Sequence, residues 1–97
     1  MSCLADIIKE FAGYLEDGRG ASKSTVQSYC RDIKQYNNYL NSNFTDFQRA
    51  GKTNLVSYIM TMQKKGRAPS SITRTMASLR AFYKFALAHR YVDSDPT

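Results

Sequence analysis

Apolar residues along this chain recur mostly at three- and four-residue intervals, the spacing that collects them on one side of an α-helix. Leu4, Ile7, Ile8, Phe11 and Leu15 set a first stripe over residues 3–17, closed by Gly18 and Gly20 in a short basic turn. Val26, Tyr29, Ile33, Tyr36 and Leu40 set a second over 23–41, opened by Ser22 or Ser24, with Ser24-Thr25-Val26-Gln27 in capping-box order. A third helix over 53–65 takes Thr53 as its N-cap, buries Leu55, Val56, Ile59, Met60 and Met62, and ends at Gly66. In the fourth, over 70–89, Ile72, Met76, Leu79, Tyr83 and Ala86 form the buried stripe with Phe82 at its edge, after Pro69 and Ser70 as turn and N-cap. The pattern predicts an all-α fold, one compact bundle of four main helices.

Three stretches fit that frame less simply. Residues 41–52 read as a loose connection pinned by Phe44 and Phe47. Residues 91–97 read as an extended exit, the start of a linker, since Asp95 before Pro96 is biased away from helix. Phe85 falls on the Arg74 side of the fourth helix. Either the helix bends or ends near Ala81, or Phe85 packs on another domain or protomer, or it stands as one exposed aromatic.

The polar positions carry the functional reading. Opposite the fourth stripe lie Ser70, Arg74, Ala77, Ser78 and Ala81, with Thr73, Arg80 and Lys84 in a flanking row. A solvated helix face normally alternates Glu with Lys for i,i+4 support, and this one has no carboxylate. Small residues allow close approach, hydroxyls bind phosphate, and a central guanidinium can grip a guanine edge, so the face suits a DNA major groove. The second helix turns Ser24, Gln27, Ser28, Arg31, Lys34, Gln35 and Asn38 outward, which fits either base and phosphate contacts or an ordinary polar face.

Charge sharpens this. The chain has 97 residues and a net charge of +6, at 42% hydrophobic content, ordinary for a folded domain. Residues 1–50 carry six Lys/Arg against six Asp/Glu, whereas residues 51–97 carry eight against two, with no acidic residue between Lys52 and Arg90. That asymmetry is the footprint of a polyanionic partner. The first helix, with Asp6, Glu10, Glu16 and Asp17 against Lys9, is the part that avoids DNA. No run approaches the roughly 18 apolar residues of a membrane span, and no signal peptide is apparent, so no membrane partner and a cytoplasmic location are expected. Cys3 and Cys30 form no CxxC and have no histidine cluster beside them, so neither a metal site nor a structural disulfide is expected.

Three strings then resemble the N-terminal core-binding domain of tyrosine recombinases, the phage-integrase family. They are Ser24-Thr25-Val26-Gln27-Ser28-Tyr29-Cys30-Arg31-Asp32-Ile33, then Ser70-Ser71-Ile72-Thr73-Arg74 with Leu79-Arg80-Ala81-Phe82-Tyr83-Lys84-Phe85, and the closing Asp95-Pro96-Thr97. Their order and spacing cover nearly the whole chain. The resemblance implies a SAM-like fold that forms half of a clamp around a recombination site, its second and fourth helices crossing the major groove. It implicates Thr25, Gln27, Ser28 and Arg31 on one helix, and Ser70, Ser71, Arg74, Ser78 and Arg80 on the other; the face reading adds Lys84 as a phosphate contact. Thr25 and Arg80 sit off the centre of their faces, which suits phosphate better than bases. The implied partners are double-stranded DNA, the catalytic domain of the same parent chain, and other recombinase protomers in a synaptic complex.

The family's chemistry, a tyrosine attacking a phosphodiester with help from arginines, a lysine and a histidine box, has no counterpart here. His89-Arg90-Tyr91-Val92 is not an H-x-x-R box, so this segment is expected to be non-catalytic and without cofactor. Two other readings stay open: a helix-turn-helix regulator, whose 3–4-residue turn only residues 66–69 approach, and a helical protein-interaction module. The DNA reading predicts salt-sensitive duplex binding; the interaction module predicts no preference for duplex.

Overall fold

The computed structural model describes residues 4–97, which form four helices packed around one core. Cys3, and the expected start of the first helix there, lie outside the described residues. Helix α1 spans Leu4–Gly13 and continues into a wide, π-type turn at Tyr14–Gly18, where a uniform helix to residue 17 was expected. Gly13 and Gly18 bracket that turn, and the Ala21 N–H closes it on the Leu15 carbonyl at 2.9 Å, so Leu15 stays buried as the chain reverses. Helix α2 spans Lys23–Ser42, α3 Lys52–Lys64 and α4 Pro69–Ala88. No helix among the described residues is long and apolar enough to cross a membrane.

Local chemistry explains most helix ends. Ser22 caps α2, its Oγ accepting the Thr25 N–H at 3.3 Å. The N-cap of α3 lies two residues before the expected Thr53: it is Gly51, whose N–H donates to Asn54 Oδ1 at 3.0 Å. Ala68 rather than Ser70 caps α4, because Pro69 takes the first helical position, where a missing N–H has no consequence. Helix α3 ends in a Schellman motif: Gly66 is left-handed (φ 79°) and Arg67 N–H reaches the Met62 carbonyl at 3.1 Å. The other two ends repeat that motif without glycine. Thr45 N–H bonds the Leu40 carbonyl around Phe44 (φ 61°), and Tyr91 N–H bonds the Ala86 carbonyl around Arg90 (φ 61°).

The core corrects several assignments made from spacing. Phe47 is buried, but Phe44, expected to tuck inward with it, is 97% exposed, because a left-handed residue at the end of α2 points its side chain away from the bundle. On α3 the buried row is Leu55, Tyr58 and Met62, while Val56 and Met60 stand out in solvent. On α4 the buried residues are Thr75, Ser78, Leu79, Phe82, Tyr83, Phe85 and Ala86; Ile72 and Met76 are only half-buried. At 3.6 residues per turn, this buried arc covers nearly half the helix circumference and is turned about 60° from the predicted stripe. The cause is that α4 packs against both α2 and α3 and meets α1 through its aromatic rings. Phe85 is therefore core in a helix that continues past it: its ring lies 5.5 Å from Phe11 and 5.3 Å from Tyr14. The exit also holds to the bundle at first, since Val92 is buried, the Tyr91 hydroxyl donates to Glu10, and Gln48 Nε2 donates to the Tyr91 carbonyl.

Candidate nucleic-acid interface

Helices α2 and α4 are joined by two polar bridges of different character. In the interior, the Tyr36 and Tyr83 hydroxyls lie 2.9 Å apart, and Tyr83 donates onward to the Phe47 carbonyl at 3.0 Å. Since Tyr83 has one proton to give, Tyr36 must donate to it. Burial pushes both phenols above the usual tyrosine range, and the neighbouring Tyr36 pushes Tyr83 higher still. These are neutral struts, the opposite of activated nucleophiles.

The second bridge reaches the surface. Asp32 on α2 is 1% exposed, and its carboxylate accepts from Arg74 Nε and Nη2 on α4, each at 3.3 Å, and from Ser78 Oγ at 2.8 Å. The Arg74 side chain is 42% exposed, so one edge of its guanidinium is held while the rest meets solvent. A buried carboxylate is tolerable here because three donors replace the water it has lost.

The bridge sorts the predicted contact residues. Ser28 and Arg31 on α2, and Ser70, Ser71 and Arg74 on α4, all lie within about one helical turn of it. Of these, Arg31, Ser70 and Arg74 are exposed, and Ser28 and Ser71 are half-buried. Gln27 is exposed one residue before Ser28. Thr25 is exposed too, its hydroxyl 3.0 Å from Ser22 Oγ in the cap. Ser78 is a correction: expected outward, it is fully buried, and its hydroxyl serves Asp32, so it offers nothing to a partner's surface. Arg80 and Lys84, placed on the flank by the sequence, lie near the middle of the exposed face of α4 together with Thr73 and Ala77. Arg74 occupies the edge beside α2 instead of the centre.

Sequence reasoning gave Asp32 no role. The available signal was its isolation: it is the one carboxylate anywhere on α2, α3 or α4. With Asp32 buried, the outward surfaces of these three helices present Lys23, Arg31, Lys34, Lys52, Lys64, Arg74, Arg80 and Lys84 and no exposed carboxylate. The acidic side chains of Asp6, Glu10, Glu16 and Asp17 are on α1 and its closing turn. Among the described residues, no group of three or more His, Cys, Asp or Glu can hold a metal ion. Cys30 is half-buried, and burial pushes its thiol up, away from nucleophilic use.

Comparison with known proteins follows this geometry. The family model described as the phage integrase N-terminal SAM-like domain matches residues 8–90. The tyrosine recombinase XerD of Halalkalibacterium halodurans is 32% identical over 99 residues, covering 100% of this chain and 33% of that protein. The XerD of Rhizobium meliloti is 34% identical over 93 residues, covering 96% of this chain and 30% of that protein. The XerD of Staphylococcus saprophyticus is 30% identical over 95 residues, with 94% and 31% covered. The chain thus spans about a third of the length of the curated relatives it matches. No solved structure matches.

Proposed function

Because the chain belongs to the phage integrase N-terminal SAM-like domain family, we propose that it grips double-stranded DNA at a recombination site, as the non-catalytic half of a clamp. The catalytic domain of the parent recombinase supplies the other half and the chemistry. Duplex DNA, that domain and further protomers in a synaptic complex are the partners.

One observation carries the DNA reading: α2, α3 and α4 share a single carboxylate, and it is buried, so their exposed charges are all positive. Mere solubility does not require such exclusion, whereas a phosphate backbone rewards it. Thr25, Gln27, Ser28 and Arg31 on α2, and Ser70, Ser71, Arg80 and Lys84 on α4, are the assigned contacts, with Arg74 between the helices.

The test is a salt titration of duplex binding. Lys23, Arg31, Lys34, Arg80 and Lys84 are exposed on α2 and α4 and, among the described residues, have no carboxylate partner at salt-bridge distance. If each neutralises one phosphate, the log–log slope is about −4.5, at roughly −0.9 per contact. A slope near zero, or equal binding to any polyanion, sinks the reading in favour of a protein-interaction module.

A further inference from the structure

The bridge between α2 and α4 has a geometry that goes beyond holding two helices together. A guanidinium has five N–H donors in one plane, arranged as two bidentate edges. The side edge consists of Nε–H and one Nη2–H. The end edge consists of the other Nη2–H and one Nη1–H. Asp32 takes the side edge of Arg74, through Nε and Nη2. The end edge makes no hydrogen bond to any of the described residues, on a side chain 42% exposed. Ser78 steadies the carboxylate from behind, at 2.8 Å from Oδ2, and Asp32 itself is 1% exposed. The guanidinium is thereby held in one plane before any ligand arrives.

We propose that Asp32 is a positioning residue for sequence readout: it fixes the plane of Arg74 so that the free end edge meets O6 and N7 of a guanine in the major groove. The proposal rests on the DNA reading above and deepens it. Guanine is favoured over phosphate by the charge balance of the pair. Asp32 cancels the charge of Arg74, which removes most of its attraction for the phosphate backbone but leaves its directed donors intact. A fork that is preorganised and nearly neutral adds discrimination without much nonspecific affinity. A free lysine or arginine, such as Lys84 or Arg80, does the reverse.

This gives the carboxylate an effect of opposite sign on two measurable quantities. Asp32→Asn removes a negative charge beside the DNA while keeping an oxygen that accepts from Ser78. Nonspecific duplex affinity should therefore rise, by about twofold or more at low salt. The preference for guanine at one position should fall by roughly fivefold or more, since the fork is no longer held. A structural role alone lowers both together, and an electrostatic role alone raises affinity and leaves preference untouched. Arg74→Ala is a poor test because it uncovers Asp32, whose bare carboxylate then repels every duplex.

The experiment incubates the 97-residue chain with a pool of random-sequence DNA duplexes and sequences the bound fraction; parent, Asp32→Asn and Arg74→Lys are compared. Arg74→Lys keeps the charge at an exposed position but cannot engage both edges, so it folds whether or not Asp32→Asn does. The parent should enrich a guanine at one position, and both variants should lose that enrichment while still binding duplex. Loss of preference in Arg74→Lys together with raised affinity and lost preference in Asp32→Asn supports the assignment. Unchanged preference in either variant, or a parent that binds duplex with no guanine preference, overturns it and leaves the DNA reading standing. No duplex binding by the parent at low salt overturns the DNA reading, and this assignment with it.

Discussion

The two halves of α4 solve different problems. From Ser78 to Ala88 the helix is core: Leu79, Phe82, Tyr83, Phe85 and Ala86 are buried, and the Tyr36–Tyr83–Phe47 chain ties them to α2 and the following loop. From Pro69 to Ala77 only Thr75 is fully buried, Ile72 and Met76 are half-covered, and the link to α2 is an ion pair open on one side. Interior hydroxyls leave nothing over for a partner, whereas the Arg74 fork is half used. One continuous helix thus supplies most of its buried side chains from one end and a half-open ion pair from the other, with Arg80 and Lys84 exposed on the outward face of the core end; on the proposed reading, base readout sits at the Arg74 end and Arg80 and Lys84 meet phosphate.

Breaking the inner half should have the largest effect. Phe85→Ser removes a ring packed on Phe11 and Tyr14, which for a buried Phe costs about 3–5 kcal/mol. A domain of this size loses roughly 4–8 °C of melting temperature per kcal/mol, so calorimetry or circular dichroism should show a fall well beyond ten degrees. A nearly unchanged melt would mean that Phe85 is not core and that the division of α4 is misplaced.

Hydroxyl deletions come next. Tyr83→Phe leaves the Phe47 carbonyl and the Tyr36 hydroxyl buried without partners, for a loss of about 1–3 kcal/mol. Tyr36→Phe strands no donor, because Tyr83 still bonds Phe47, and should cost less. Thermal melts of the two variants would contradict the bridge if their order were reversed. The same phenols set an alkaline limit. Their folded pKa values lie above the unfolded value near 10, so above that pH the unfolded state releases protons that the folded state keeps. Stability is therefore full below about pH 10 and falls as pH rises beyond it. Urea titrations on either side of that pH should show the loss in the parent and less of it in Tyr83→Phe.

At the junction, Ser78→Ala removes one of three donors to a buried carboxylate and should cost about 1.5–3 kcal/mol, the usual value of a hydrogen bond to a charged group. If Ser78 instead faced solvent, the melt would move by no more than a fraction of that. Beyond the helix end, Arg90 sits at φ 61°, where a side chain is disfavoured, so Arg90→Gly should stabilise by about 1 kcal/mol. A destabilised variant would show that the Arg90 side chain makes compensating contacts.

The smallest effect on stability belongs to the exposed face. Lys84→Ala should leave the melt within about 0.5 kcal/mol of the parent. It should weaken all duplexes alike and lower the magnitude of the salt slope by about 1. A change confined to one DNA sequence would move base readout from Arg74 to Lys84 and reverse the roles assigned here.

The linear chain determined the fold class and the sign of the surface. Four amphipathic repeats, each bounded by Ser, Gly or Pro, imply four helices wherever they pack, and a span without carboxylates is positive in any arrangement. The apolar stripe of α1, though not the π-type turn that closes it, and the outward side of α2 were equally legible, since each helix buries a single stripe and the period reads directly. Tertiary structure decided the rotation of α4. A helix gripped by several neighbours buries nearly half its circumference, so its apolar residues no longer mark the centre of the covered side; Ser78 and Phe85 went inward, and Arg74 moved to an edge. It also decided that Phe44 points out, because a left-handed helix end is set by backbone bonds and not by hydropathy. Above all it decided the partner of Asp32. A carboxylate in a sequence reads as a surface charge, and only the approach of α4, 42 residues later, turns it into a buried anchor for an arginine.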